Sequence, residues 1–571
     1  MAEYFAPGVY VEEFDSGIKA MEGVGTSTAG FIGLAEKGPV IGRPVLLTSF
    51  ADYQRRFGGY LSELEYGSYR YLPNAVEQFF TNGGSTCYVM RVAPEDAVTA
   101  KSPDGKVVVT AQNPGVWANA MQVFFTRSVR ARTQVLAIQD SGDSKQYQLK
   151  NTAGFRVGDI VSYFSGSAPV YQTITAVNGN LVSFDQPLPD NVVDANLVPQ
   201  KVLEACGVDM VIRCGIQEES YPGCSLNPLA PDYLIAALEK STMASMELKL
   251  DDKADDLLAM LGGSADQDQL RIDLNGGLNG TMDNVNAGVF NGTDGGPGKR
   301  TGIEAFQEIT DVSIMAVPGV TDPNVQAKLI AHCEGLTSRF AVLDAPLDCT
   351  GVDELNTYRG TYDSSYAALY APWVQVYDPL LKRPTFLPPS GSVCGIYART
   401  DIQRGVHKAP ANEIVQGCTG LSVSYNQAEQ GKLNPNGVNL IRAIPGQGIR
   451  VWGARTCSSD GNWKYVNVRR LFIFLEECIR ANTNWVVFEP NDEALWSRVK
   501  GTISLFLETQ RRSGALMGST PDEAYYVNVG NTTMTQDDIL NGRLICEIGV
   551  APVRPAEFVI FRITQITQSA T

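Results

Sequence analysis

The stretch that most constrains this chain runs from Gly453 to Pro490, GARTCSSDGNWKYVNVRRLFIFLEECIRANTNWVVFEP, and is followed by the helix-start sequence NDEALW. Between Val466 and Ala481, Leu471, Phe472, Leu475, Cys478 and Ile479 recur at the spacing of one helical face. Ile473 and Phe474 add apolar surface on the opposite side, so this helix is expected to be covered twice. Trp485-Val486-Val487-Phe488 reads as a short, doubly buried strand ending at Glu489-Pro490. Asn491 is a good N-cap, with Asp492 and Glu493 in the first turn, where the helix dipole favours anions. Leu495, Val499, Ile503 and Phe506 form the inner stripe of this second helix; Arg511 and Arg512 fall in its last turn, and Gly514 stops it. Helix, buried strand, helix predicts a packed α/β core.

The rest of the chain must supply further cores, because 571 residues exceed what one can hold; about three to five domains is the expectation. Apolar runs such as Leu471 to Leu475 fall far short of the ~20 residues that span a bilayer. MAEYFAPGVYVEEF has neither the basic nor the apolar region of a signal peptide, so synthesis in a cytoplasm is expected. Eleven cysteines without a C-x-x-C pair predict reduced, mostly buried thiols. With two histidines, His332 and His407, a Cys/His zinc site is disfavoured, and no metal or cofactor is expected. Forty-six basic against 62 acidic residues, net −16, argues against direct nucleic-acid binding.

Along the chain, residues 1 to about 25 read as an arm: Val9, Tyr10 and Val11 are strand formers flanked by Pro7-Gly8, Gly17, Gly23 and Gly25. Ala29 to Leu34 is a buried strand, and helices near Phe50 and Val76 lead to the strand Thr86 to Val92. Thr133 to Gln139, Gln146 to Lys150, Phe155 to Phe164, Val170 to Val177 and Asn180 to Phe184 read as short strands, with a hairpin turn at Asn178-Gly179. Residues 251 to 300 hold ten Gly and nine Asp and read as a long loop. Beyond 300, buried strands alternate with helices, the pattern of a mostly parallel sheet. At the other end, Phe558 and Ile560, then Val559, Phe561 and Ile563, are apolar on both faces, an edge that needs a partner.

The chemistry-bearing motifs are weak. Gly292 to Thr301 suggests a phosphate loop, but Thr293 stands where its first Gly belongs and Arg300 where Ser or Thr would hold magnesium. The pairs Arg469-Arg470 and Arg511-Arg512 read as solvated helix faces or as surfaces for an acidic partner.

Together, the Gly453–Pro490 run, TPDEAYYV (520 to 527) and IGVAPVRPAEFVIFRI (548 to 563) resemble the C-terminal domain of contractile phage tail sheath proteins. PGVYVEE (7 to 13), TSTAGFIGLAEKGPV (26 to 40) and AVEQFFTNGGSTCYVMRV (75 to 92) resemble the same family's N-terminal region. The resemblance implies an α/β and α+β multidomain chain. Its parts would be arms at 1–25 and 554–571, a core domain from 26–93 and 436–553, a subtilisin-like middle domain from 94–126 and 203–435, and a small all-β insertion at 127–202. It implies a non-enzymatic subunit that polymerises around a tail tube, contracts, and drives the tube through a host envelope. Val9, Tyr10, Val11, Phe558, Val559, Ile560, Phe561 and Ile563 would exchange strands between subunits, and Arg469, Arg470, Arg511 and Arg512 could face the tube. The implied partners are other copies, the tube, the baseplate and a terminator cap, in a virion assembled in host cytoplasm and with no membrane insertion. The sheath of a bacteriocin or injection system is the alternative. A hydrolase using Asp311, His332, Ser390 or Ser392 is a remote one, since Pro388-Pro-Ser-Gly-Ser-Val-Cys394 lacks the nucleophile run of subtilisins.

Overall fold

The computed structural model describes residues 21–140, 145–164, 169–188, 202–249, 258, 260 and 269–560. The chain forms two compact units. One combines the residues up to Ala35 with Val40–Val92 and everything from Asn286 onward; the other combines Glu36–Pro39 with Ala93–Val285.

The first unit is organised by a nine-stranded sheet. Its order is Glu413–Ile414, Gly448–Val451, Val438–Ile444, Ala367–Ala371, Phe340–Asp344, Ile314–Ala316, Ala29–Leu34, Cys87–Val92 and Val45–Leu47. The six inner strands, Val438–Ile444 through Cys87–Val92, are parallel, and the outer pairings are antiparallel. Parallel strands covered on both faces tolerate continuous apolar sequence, and AGFIGL and CYVMRV are buried at every position. Helices Leu72–Thr81 and Ser390–Arg404 cross closely because Gly391 and Gly395 lack side chains. A Cβ at either would come within 2.5 Å of a backbone oxygen of the facing helix, Ala75 or Phe79. The sheet runs across the boundary expected at 436 between a middle domain and a core domain. Strands from 314–371 lie in one sheet with 29–34, 87–92 and 438–444, because parallel pairing joins segments far apart in sequence.

The second unit carries an antiparallel sheet of eight strands. Six of them form a ring: Val202–Cys214, Ile160–Phe164, Pro169–Asn178, Leu181–Phe184, Lys145–Leu149 and Gln122–Asp140, which pairs back to Val202–Cys214. The Asn178-Gly179 turn joins two paired strands, with Gly179 at φ +61°. The expected insertion limits, 127 and 202, differ from this arrangement. Gln122–Asp140 runs through the first limit as one 19-residue strand and pairs with Val202–Cys214 from Gln134↔Val202 to Gln122↔Arg213. Part of the predicted 251–300 loop is also ordered into the sheet, as Gln269–Asp273 beside Gln122–Thr126. Among the described residues no helix is long and apolar enough to cross a membrane.

Candidate assembly interface

Within the first unit, helix Val466–Asn482 is the axis of a C-terminal module. Leu471, Leu475 and Cys478 face a cluster with Leu495, Val499, Ile503 and Phe506 of helix Glu493–Arg512, while Val466 and Ile473 enter the cluster around the parallel sheet. The two-sided covering is thus present. Phe474, expected opposite Leu471, instead meets Phe506 on the same side, ring centroids 6.3 Å apart. Helix Glu493–Arg512 begins one residue later than expected. Asp492 is its N-cap, accepting from Leu495 N at 2.8 Å, and Asn491 accepts from Trp496 Nε1 at 2.7 Å instead. Two antiparallel strands, Tyr525–Val529 and Cys546–Val550, complete the module.

The doubly buried strand expected at Trp485–Phe488 is absent. Asn484–Val486 is one 3-10 turn, closed by Val486 N to Thr483 O at 3.0 Å, and Phe488 stands fully exposed at φ +68°. Four apolar residues between turn formers carry no periodicity that separates a strand from a turn, and local hydrogen bonds decided it here. A left-handed backbone at an aromatic residue is uncommon. Phe488 stands at the rim of a groove of about 760 Å³ whose walls include Val486, Leu495, Val499, Leu544 and Ile548.

Residues 22–26 and 553–557 are both held at helix Val466–Asn482. The leading segment runs antiparallel beside it: Glu22 N donates to Asn482 Oδ1 (3.1 Å), Val24 N meets Cys478 Sγ (3.3 Å), and Arg470 Nη2 donates to Thr26 O (2.8 Å). The trailing segment leaves near the opposite end. Met517 N donates to Ala551 O (2.8 Å), Asn467 Nδ2 to Val553 O (3.2 Å), and Arg455 grips Glu557 through Nε (2.8 Å) and Nη2 (2.5 Å). Tyr465 also donates to Glu557, at 3.2 Å. Burial alone would raise the Glu557 carboxyl; the Arg455 hydrogen bond and charge, with Asn434 and Tyr465, hold it below its usual value. Beyond this clamp Phe558, Val559 and Ile560 are 75%, 69% and 79% exposed, with no strand partner among the described residues. Phe561, Ile563, Val9, Tyr10 and Val11 lie outside the described residues.

Arg469 and Arg470 are not surface cations. Arg470 and Asp401 form an ion pair at 2.6 Å with both side chains 3% exposed, and Arg469 stacks on Trp463 at 3.5 Å and donates to Ser365. They sit on the helix face that meets the sheet unit's core, where the sequence alone shows only two charges. Arg511 and Arg512 both hold Glu508, whose carboxyl they pull down to about 2; of these two, Arg512 is the more exposed. The sequence reading missed the Arg455–Glu557 clamp. The two residues are 102 positions apart, and neither motif carries a pairing signal.

The catalytic candidates do not converge. Ser390 Oγ donates to Asp344 Oδ2 at 2.7 Å, and the Ser390 and Gly319 N–H groups donate to the same carboxylate. Burial pushes Asp344 up to about 6 against the pull of these donors. His332 lies elsewhere, 3.3 Å from the Arg339 guanidinium, and burial with the Arg339 and Lys328 charges pushes it down to about 3. Asp311 is exposed and accepts from Thr310, and Ser392 donates to Gln78. In the Gly292–Thr301 loop, Gly298 N donates to Glu308, and Arg300 is ion-paired with Asp294 and Glu308.

An ordered core, an exposed apolar tail at one end of helix Val466–Asn482 and an apolar groove at the other are features of a structural subunit with surface left for association. The chain matches the phage tail sheath protein central domain over residues 293–457 and the phage tail sheath C-terminal domain over 458–566. It is 25% identical over 287 residues to a prophage protein of Pseudomonas aeruginosa named as a major tail sheath protein, covering 48% of this chain and 71% of that one. It is 25% identical over 282 residues to the tail sheath protein of Escherichia phage P2, covering 48% and 69%. Its fold is similar to the contracted-state PVC sheath complex of an extracellular contractile injection system, with a TM-score of 0.52, 21% identity and 99% of both chains covered. These matches place residues 293–566, just under half of the chain, in the phage tail sheath family.

Proposed function

We infer that this protein is the subunit of a contractile sheath, a component of a virion or phage-derived particle. It polymerises around a tail tube in an extended state and shortens on triggering, driving the tube through a host envelope for genome delivery. Copies of itself and a baseplate are its partners; a tube protein and a terminator cap complete the set, with assembly in host cytoplasm. The exposed Phe558–Ile560 segment carries the reading. An apolar, irregular segment exposed past an ion-pair clamp is suited to pair as a strand with another copy, and the edge of Cys546–Val550, beside the Phe488 groove, offers main-chain groups to such a strand. Each hydrogen bond contributes only about 0.5–1.5 kcal/mol, so many parallel arms give strength while each link bends. Val9–Val11 play the same part at the other end. The parallel sheet supports the subtilisin-like scaffold as architecture, with the ring of strands in the second unit as an inserted all-β element. Arg512 is the best placed of the four arginines to meet an acidic tube.

The test is deletion of residues 558–571, with electron microscopy of the purified chain. Wild type is expected to give hollow cylinders, and the truncated chain a folded monomer with unchanged circular dichroism and no cylinders. Cylinders of normal length from the truncated chain would overturn strand exchange at this end.

A further inference from the structure

Beside the Glu557 clamp lies a second, polar pocket of about 620 Å³. Arg359 and Arg455 line it, both more than nine-tenths buried, and Lys464 is half-buried at its rim. Arg455 is neutralised by Glu557. Arg359 is not neutralised: its Nη1 donates to the Tyr362 carbonyl at 2.5 Å, its buried Nε has no hydrogen-bond partner, and no carboxylate lies within ion-pair distance among the described residues. Asp363, the nearest acidic influence, gives both oxygens to Ser459, accepting from its N–H at 2.9 Å and its hydroxyl at 2.7 Å. Asp460, also on the pocket wall, caps the turn at Asn462. Arg359, Arg455 and Lys464 therefore line this pocket with the Asp460 carboxylate, while Glu557 sits on Arg455 and Asp363 acts on Arg359 only beyond ion-pair distance, on a chain whose net charge is −16.

A buried guanidinium without a counter-ion is costly, and it persists where an anion reaches it in the working state. Arginine's planar donor fork suits a carboxylate or a phosphate oxygen pair. We propose that the Arg359 pocket is an acceptor site for a carboxylate side chain of an adjoining copy of this chain. A chain with 62 acidic residues, most of them outside its cores, brings such groups to contacts between copies, and local positive potential in an acidic lattice fixes the register of that contact. Because Arg455 serves both the pocket and the clamp, the incoming carboxylate shares a cation with Glu557, which ties occupancy of the pocket to the mooring of the trailing arm. The inference rests on the sheath reading, because it requires copies to meet.

The experiment compares full-length wild type, Arg359→Gln, Arg359→Lys and Lys464→Gln by monomer melting and by the concentration at which sedimentable polymer forms. Arg359→Gln is expected to melt at or above the wild-type temperature and to need at least ten-fold more protein to polymerise, the size of one charge-assisted hydrogen bond. Arg359→Lys should recover part of this loss, and Lys464→Gln should show a smaller one. High-resolution microscopy of the wild-type polymer should place an Asp or Glu of a neighbouring copy against Arg359. Polymerisation of both Gln variants at the wild-type concentration overturns the proposal alone, as does a free phosphate in the pocket. An Arg359→Gln monomer that melts lower, with Lys464→Gln polymerising normally, makes Arg359 an internal brace and overturns it too. A wild-type chain that never polymerises overturns the sheath reading and this inference with it.

Discussion

Replacing Arg470 with alanine separates an internal role from a surface one. Its guanidinium makes two hydrogen bonds to Asp401, at 2.9 and 2.6 Å, donates to Thr26 O at 2.8 Å, and lies over the Tyr397 ring at 4.8 Å. The truncation strands a carboxylate that is 3% exposed, and removing one partner of such a buried pair costs about 3–5 kcal/mol. Asp401→Ala should cost a similar amount, and the double variant clearly less than the sum of the two. Urea unfolding followed by tryptophan fluorescence reads this well, because Trp373, Trp452, Trp463, Trp485 and Trp496 all lie in the first unit and only Trp117 in the second. With a slope of roughly 3 kcal/mol per molar urea for a unit of this size, the midpoint should fall by at least about 1 M. A midpoint shift below about 0.2 M, with loss of affinity for a tail tube, would refute the argument and return Arg470 to the surface.

Three further outcomes follow from the same structure. Glu557→Gln should leave the monomer folded but make the chain beyond Val553 cleavable by protease at neutral pH. In the wild type the same release should appear as pH falls, since a carboxyl held below its usual value contributes stability that is lost on protonation. Asp344 acts with the opposite sign. With its carboxyl raised to about 6 from 3.8, the folded state holds the proton longer, so stability is full at low pH and falls by about 3 kcal/mol as pH rises through 6. Asp344→Asn should flatten that dependence in a pH series of unfolding curves, and an unchanged slope would contradict the assignment. Replacing 127–202 by a Gly/Ser linker should unfold the second unit, because it removes most of the Gln122–Asp140 strand and unpairs Leu203–Val208. Protease should then cut within 93–285 while first-unit fluorescence stays native.

Much of the C-terminal module was legible because both helices carry wide apolar stripes, and Leu495, Val499, Ile503 and Phe506 lie where their spacing puts them. Ala29–Leu34 and the Asn178-Gly179 hairpin were legible for the same local reason. Arg469 and Arg470 were not, since a buried ion pair depends on Asp401, about seventy positions away, and stacking depends on Trp463 in space. The unit boundaries failed where pairing is long-range: no local signal tells that Val202 meets Gln134, or that Ile314 sits between Ala29 and Phe340. Phe488 departs from the pattern because its apolar side chain is turned outward by a left-handed backbone, which hydrophobicity alone does not signal. In the candidate site, the exposed Phe558–Ile560 tail could be anticipated from its two apolar faces, but the clamp that aims it could not.

The two moorings on helix Val466–Asn482 have a mechanical consequence. Glu22 is tied at the Asn482 end and Glu557 beside Tyr465 at the other, so a tug between the two chain ends is carried along a single helix of about 25 Å, parallel to its backbone hydrogen bonds. In a stretched lattice, these seventeen residues and their two anchors would then carry tension from one neighbour to the next.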